Sequence, residues 1–181
     1  HLSSDDPRLS GDSGPKIYNV EITEKGVAKR RSIRIGRIFK GMVGEADFSA
    51  YGMPLKKVRI RPAVDVADAE VFAEVLGELP PGVPPLNKKV YAYMDISANI
   101  PNEEIEGAEL EFEIPKSWMR KNSVIVAYHY NGSEWEELPT AEIGRDAESV
   151  RFRTRASGFS PYAFVDNTYD DFQAGTHENT E

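Results

Sequence analysis

Residues 107–120 read GAELEFEIPKSWMR, and three glutamates in them, Glu109, Glu111 and Glu113, stand two apart. Glycosidase-type chemistry needs paired carboxylates in opposed environments, facing each other across a cleft. On a strand, a spacing of two sends all three the same way, side by side and roughly 7 Å apart. Such neighbours share one environment, and nothing in the sequence sets their proton affinities apart. The alternating Leu110, Phe112 and Ile114 supply a core side, leaving the acids as the water-facing side. Arg151, Arg153 and Arg155 alternate in the complementary sense and are the expected cross-strand partners. No catalytic residue is assigned, and the chain is not expected to be an enzyme.

Metal chemistry has two candidate sets. His1 offers an amine and an imidazole, the start of a copper brace like that of lytic polysaccharide monooxygenases. The brace needs a second histidine, and only His129 and His177 are present. His129 lies in AYHYNG beside aromatics, where a packed or surface histidine is the usual case, and no motif supports copper. Asp166, Asp170 and Asp171, with Asp5, Asp6 and Asp12 near the start, are the candidate Ca²⁺ ligands. Their spacing matches no EF-hand loop, and hydrated acidic segments are the plainer reading. Asn131-Gly132-Ser133 is the one N-glycosylation sequon among eight asparagines, and it falls at an expected hairpin tip. Tyr91, Tyr93, Trp135 and Tyr169 would form the platform of a carbohydrate-binding surface. No Ser/His/Asp arrangement, phosphate loop or dinucleotide fingerprint occurs, and the lack of cysteine excludes disulfides and thiol chemistry.

The 181 residues suffice for one well-cored domain with tails. No apolar run approaches the roughly 18 residues of a membrane span. The chain opens on His1 rather than Met, which reads as a secreted form with its leader removed, or as a fragment. Net charge is −8, yet residues 1–61 hold 13 Lys+Arg against 7 Asp+Glu, and the remainder holds 9 against 23. The basic run of Lys29, Arg30, Arg31, Arg34, Arg37 and Lys40 comes with no nucleic-acid-binding motif, and an acidic remainder repels phosphate. A solvated strand face is expected there. Ends of opposite sign also suit head-to-tail attraction between copies.

The elements that would position these groups are strands. Residues 1–15 are turn-formers and acids and read as an arm. From Lys16 the period is two, with Tyr18, Val20 and Ile22 on one face. Further strands are expected near 31–39, 55–61, 88–97, 123–130, 150–155 and 162–165, with a helical turn at 115–120. Residues 69–79 fit a helical stripe but end in the rigid PPGVPP. The NG pair at 131–132 signals a hairpin leading into Trp135 and Leu138. Short strands every eight to twelve residues predict an all-β chain, an antiparallel β-sandwich (immunoglobulin-like or jelly-roll-like) spanning 16–165. An acidic tail, 166–181, follows, with Tyr169 and Phe172 as its only anchors.

From about residue 52 to 165 the chain resembles the PGF-pre-PGF domain of archaeal cell-surface proteins. The ordered segments are LPPGVPP (79–85), VYAYMDI (90–96), IPKSWM (114–119), VIVAYHYNGSEWEELPT (124–140) and ASGFSPYAFV (156–165). The resemblance implies a sandwich-like extracellular module without enzymatic activity, and a strand rather than a helix before the proline-rich turn. Many members carry a C-terminal anchor, whereas here DNTYDDFQAGTHENTE follows Val165, implying a subunit held by its neighbours. The expectation is an extracellular structural subunit that assembles with copies of itself into a filament, sheath or surface layer. Lys16, Tyr18, Val20, Ile22, Tyr169 and Phe172 are the candidate assembly residues. The alternatives are a monomeric carbohydrate- or ligand-binding module and, more remotely, the copper enzyme.

Overall fold

The structure is a computed structural model that describes residues 30–156 and 158–168. The arm, the Lys16–Ile22 stretch, Tyr169 and Phe172 lie outside the described residues. Within them the chain is all-β, two antiparallel sheets packed face to face. Eleven strands follow one another: β1 (Arg30–Ile38), β2 (Gly44–Asp47), β3 (Leu55–Pro62), β4 (Val66–Leu76), β5 (Lys89–Ala98), β6 (Ile105–Pro115), β7 (Ile125–Tyr130), β8 (Trp135–Leu138), β9 (Thr140–Arg145), β10 (Ser149–Arg155) and β11 (Ser160–Asp166). One sheet runs β1-β4-β5-β11-β7-β8 and the other β2-β3-β6-β10-β9.

Period-two alternation builds the core. Ile33, Ala69, Val71, Ala73, Met94, Ile96, Ala127, Tyr162 and Phe164 come from the six-stranded sheet. Ala46, Val58, Ile60, Leu110, Phe112, Ile114, Val150 and Phe152 face them from the other. At the centre, Phe112 stacks on Phe152 beside it (5.5 Å) and on Phe164 from the opposite sheet (4.1 Å). Residues 69–79, ambiguous by period, form most of β4: Ala69, Val71 and Ala73 point inward, while Phe72 faces solvent.

The alternation expected along residues 88–97 breaks at Tyr91. Ala92 pairs with Phe164 and Val90 with Val165, so Tyr91 is the extra residue of a β-bulge. The phase flips there. Met94 and Ile96 join the main core, Tyr91 packs against its margin beside Trp118 (5.3 Å), and Val90 turns to the opposite face with Tyr93. On that outer face Val126, Tyr128, Ala163 and Val165 form a second, smaller cluster, with Leu86 packed against it. Two bonds pin the proline-rich loop over it: Trp135 Nε1 donates to the Pro84 carbonyl (2.8 Å) and the Leu86 amide to the Tyr93 hydroxyl (3.0 Å).

The ladders give the sandwich two distinct ends. Pairing of Pro62 with Ile105, Arg155 with Glu109 and Ser160 with Ile96 gathers loops 39–43, 63–65 and 99–104, with residues 156, 158 and 159, at one end, here called the Arg61 end. Pairing of Asp166 with Lys89 and Ile125, and of Ser149 with Pro115, defines the other, the Asp166 end. There residues 115–119 form the anticipated turn, with Trp118 N donating to the Pro115 carbonyl (3.0 Å).

Candidate functional site

The acid row lies on β6 between two basic strands. On one side Lys57 registers with Glu111 and Arg59 with Glu109; on the other, Arg151 faces Glu113, Arg153 faces Glu111 and Arg155 faces Glu109. Arg59 Nη1 donates to Glu111 Oε2 at 2.6 Å, Arg153 Nη2 reaches the same oxygen at 3.4 Å, and Arg151 Nη1 lies 3.6 Å from Oε1. Arg151 also binds Glu113 (2.7 Å), and Glu45 on β2 holds Arg59 (3.1 Å) and Lys57 (3.8 Å).

The single shared, water-facing environment expected for the three acids is therefore corrected. The Glu111 side chain is only 5% exposed, against 39% for Glu109 and 24% for Glu113. The cause is position: β6 is flanked on both sides, so guanidinium groups close over its middle acid from two directions. Burial alone would push the Glu111 carboxyl up, but the hydrogen bond and charge of Arg59, aided by Arg153, outweigh it and hold the group below its ordinary range. Arg59 is pushed up, first through its bond to Glu111. A carboxylate held ionised has no proton to give, so Glu111 is the opposite of a general acid. The network ties β2, β3, β6 and β10 together across one face.

The other candidates are dispersed. Asn131 opens a four-residue turn between β7 and β8, its Oδ1 accepting from the Ser133 (2.8 Å) and Glu134 (2.9 Å) amides. Its Nδ2, the atom a glycan would use, is exposed and donates to Glu136 (2.9 Å). His129 is buried against Tyr162 (ring centroids 4.9 Å apart), with Nδ1 3.6 Å from Glu136. His1 and His177 lie outside the described residues. Asp166 is buried at the close of β11, where its carboxylate accepts from the Ser123 hydroxyl (2.7 Å) and the Thr168 amide (3.1 Å). Asp5, Asp6, Asp12, Asp170 and Asp171 fall outside the described residues, within which no three His, Asp or Glu side chains are grouped to hold a metal ion. Tyr93 and Trp135 do meet (5.8 Å), but Tyr91 is at the Trp118 margin instead. No helix of the described residues is long and apolar enough to cross a membrane.

Sequence reasoning missed the Arg61 end. There a pocket of about 320 Å³ is lined by Val43, Arg59, Arg61, Glu106, Gly107, Ala108, Glu109 and Arg155. Arg155, one of the three arginines expected as partners of the acid row, registers with Glu109, but Glu109 approaches Arg59 (3.8 Å) and Arg153 (3.9 Å). Among the described residues neither Arg61 nor Arg155 has an ion pair. The only signal in the sequence was Gly107, the residue facing Arg61 across the β3–β6 ladder.

The sequence matches no protein-family model, and no curated protein matches it.

Proposed function

We propose that this chain is a non-enzymatic structural subunit of an archaeal cell surface, one that polymerises with its own copies into a filament, sheath or surface layer. The observation that carries this reading is an open sheet edge: β9 stands at the end of its sheet and, among the described residues, is paired along one side only. An unpaired edge is a template for a strand from another chain. The segment offered to such an edge is residues 16–22, which carries the alternating Tyr18, Val20 and Ile22. The resemblance to the archaeal PGF-pre-PGF module supports the extracellular setting, and Asn131 is the site proposed for its glycan.

The carbohydrate-platform reading has less support, because Tyr93 and Trp135 are spent on holding the proline-rich loop. The test is the size of the assembled material. Light scattering and negative-stain microscopy should show ordered polymers for the full chain and the loss of laterally paired polymers when residues 1–29 are removed. A truncated chain that polymerises as well as the full one defeats the arm-mediated mechanism, and a full chain that stays monomeric at high concentration defeats the structural reading.

A further inference from the structure

We propose that the Arg61 end of one copy receives residues 169–172, Tyr-Asp-Asp-Phe, of a second copy, giving a polar, head-to-tail contact. The inference rests on the polymer reading above and names the surfaces that would meet.

The receiving surface combines exposed apolar side chains with two arginines that have no ion pair among the described residues. Among the described residues seven large hydrophobics are exposed, and four of them, Phe39, Met42, Val43 and Val64, lie on two adjoining loops of this end, at 38–61% exposure. The loops are pinned rather than loose. The Gly41 amide donates to the Pro62 carbonyl (2.9 Å), the Met42 amide to the Phe39 carbonyl (2.9 Å) and the Lys40 amide to Asp65 Oδ1 (2.8 Å). Gly41 takes a φ of +78°, where a side chain would be strained. Apolar groups displayed on a fixed backbone in this density mark an interaction site.

Val43 also lines the pocket whose floor is Gly107. A Cβ there would meet nothing closer than Arg61 Nη1 at 4.0 Å, so the floor is open. Arg61 and Arg155 flank it from β3 and β10, both exposed and, among the described residues, without an ion pair. Glu106 and Glu109 share the pocket, but Glu109 is already offset by Arg59 and Arg153. Two guanidinium groups beside an apolar rim fit a peptide that carries carboxylates between hydrophobic side chains.

Residues 169–172 have that composition, and residues 169–181 contain four acids and no Lys or Arg. Geometry forbids the segment from using its own pocket. The chain passes Thr168 at the Asp166 end, where Thr168 Oγ1 donates to the Asn122 carbonyl (3.2 Å). The seven residues of β11 separate the two ends, roughly 20 Å at strand rise. Four residues span at most about 14 Å. The contact is therefore made in trans. With donor and acceptor at opposite ends it is heterologous, and each added copy presents a fresh acceptor.

The experiment uses the full chain and a labelled synthetic peptide of residues 166–175. The peptide should bind the full chain saturably, and R61E/R155E or F39S should weaken it at least tenfold with the fold unchanged by circular dichroism. The variant D170K/D171K should assemble poorly alone, and mixing it with R61E/R155E, which restores opposite charges at one junction, should recover association. Peptide binding unaffected by both the arginine and the Phe39 variants overturns the proposal, as does polymerisation that none of these changes touches. Polymers that persist unchanged leave the structural-subunit reading intact while removing this contact. A monomeric full chain that still binds the peptide does the reverse.

Discussion

At Glu111, guanidinium groups from both neighbouring strands converge on one buried carboxylate. Replacing Glu111 by Gln keeps the shape and removes the charge, leaving Arg59, Arg151 and Arg153 crowded without their common partner. Loss of one member of such a buried network costs about 2–3 kcal/mol, measurable by urea denaturation at neutral pH. The pH dependence follows from the lowered proton affinity of Glu111. Its stabilisation is present above the ordinary value of 4.5 and is lost as pH falls through the lower folded-state value. The gap between wild type and Glu111→Gln should therefore close in acid; a gap that is constant down to pH 3 would show the loss to be one of packing. Asp95 has the opposite sign. Burial pushes its carboxyl up, helped by the charge of Glu74, which lies opposite it in the β4–β5 ladder. A raised acid contributes its stability below its ordinary value of 3.8 and loses it as pH rises through the folded-state value. Asp95→Asn should raise the urea midpoint at pH 7 and leave it unchanged near pH 3.

Among the elements, alternation announced β6 and β10, which alternate cleanly, together with the parts of β3 and β5 that follow their bulges. It also revealed two of the arginine partners of the acid row, Arg151 and Arg153, but neither Arg59, which makes the shortest bond, nor the lack of an ion pair at Arg155 among the described residues. The burial of Glu111 was not legible, since it needs β3 as the second neighbour of β6, and that pairing is a long-range choice no local period encodes. β2 and β9 went unseen for another reason: GEAD is short, with one buried apolar side chain, and TAEIGR is exposed along nearly its whole length. The bulge at Tyr91 escaped too, because one extra residue shifts the phase without changing the composition. The proline-rich loop tests how an irregular element is held. Trp135 reaches Pro84 and packs near Tyr93 and Tyr130 (5.8 and 5.3 Å), so Trp135→Ala removes the main clasp of residues 77–88. Limited proteolysis should then cut within that loop at least severalfold faster than in wild type, while the main core, centred on Phe112, keeps its protection. Unchanged cleavage would mean that Leu86 and Tyr93 hold the loop by themselves.

Over the whole molecule, the polymer reading involves two contact types with different physics. Pairing along β9 would be made of backbone hydrogen bonds and strand packing, which salt screens little. The end-to-end contact at Arg61 and Arg155 relies on charge beside an apolar rim. The screening length falls from about 30 Å at 0.01 M salt to about 3 Å at 1 M, so the two respond differently to one titration. In salt, end-to-end growth should weaken and polymers shorten, while laterally paired species of fixed width survive. The R61E/R155E variant should already be short at low salt and should lose little more on titration. Sedimentation velocity with microscopy reads both quantities, length from the distribution and width from images. If salt narrows the polymers and leaves their length unchanged, charge holds the lateral contact, and the roles assigned to the edges and the Arg61 end must be exchanged.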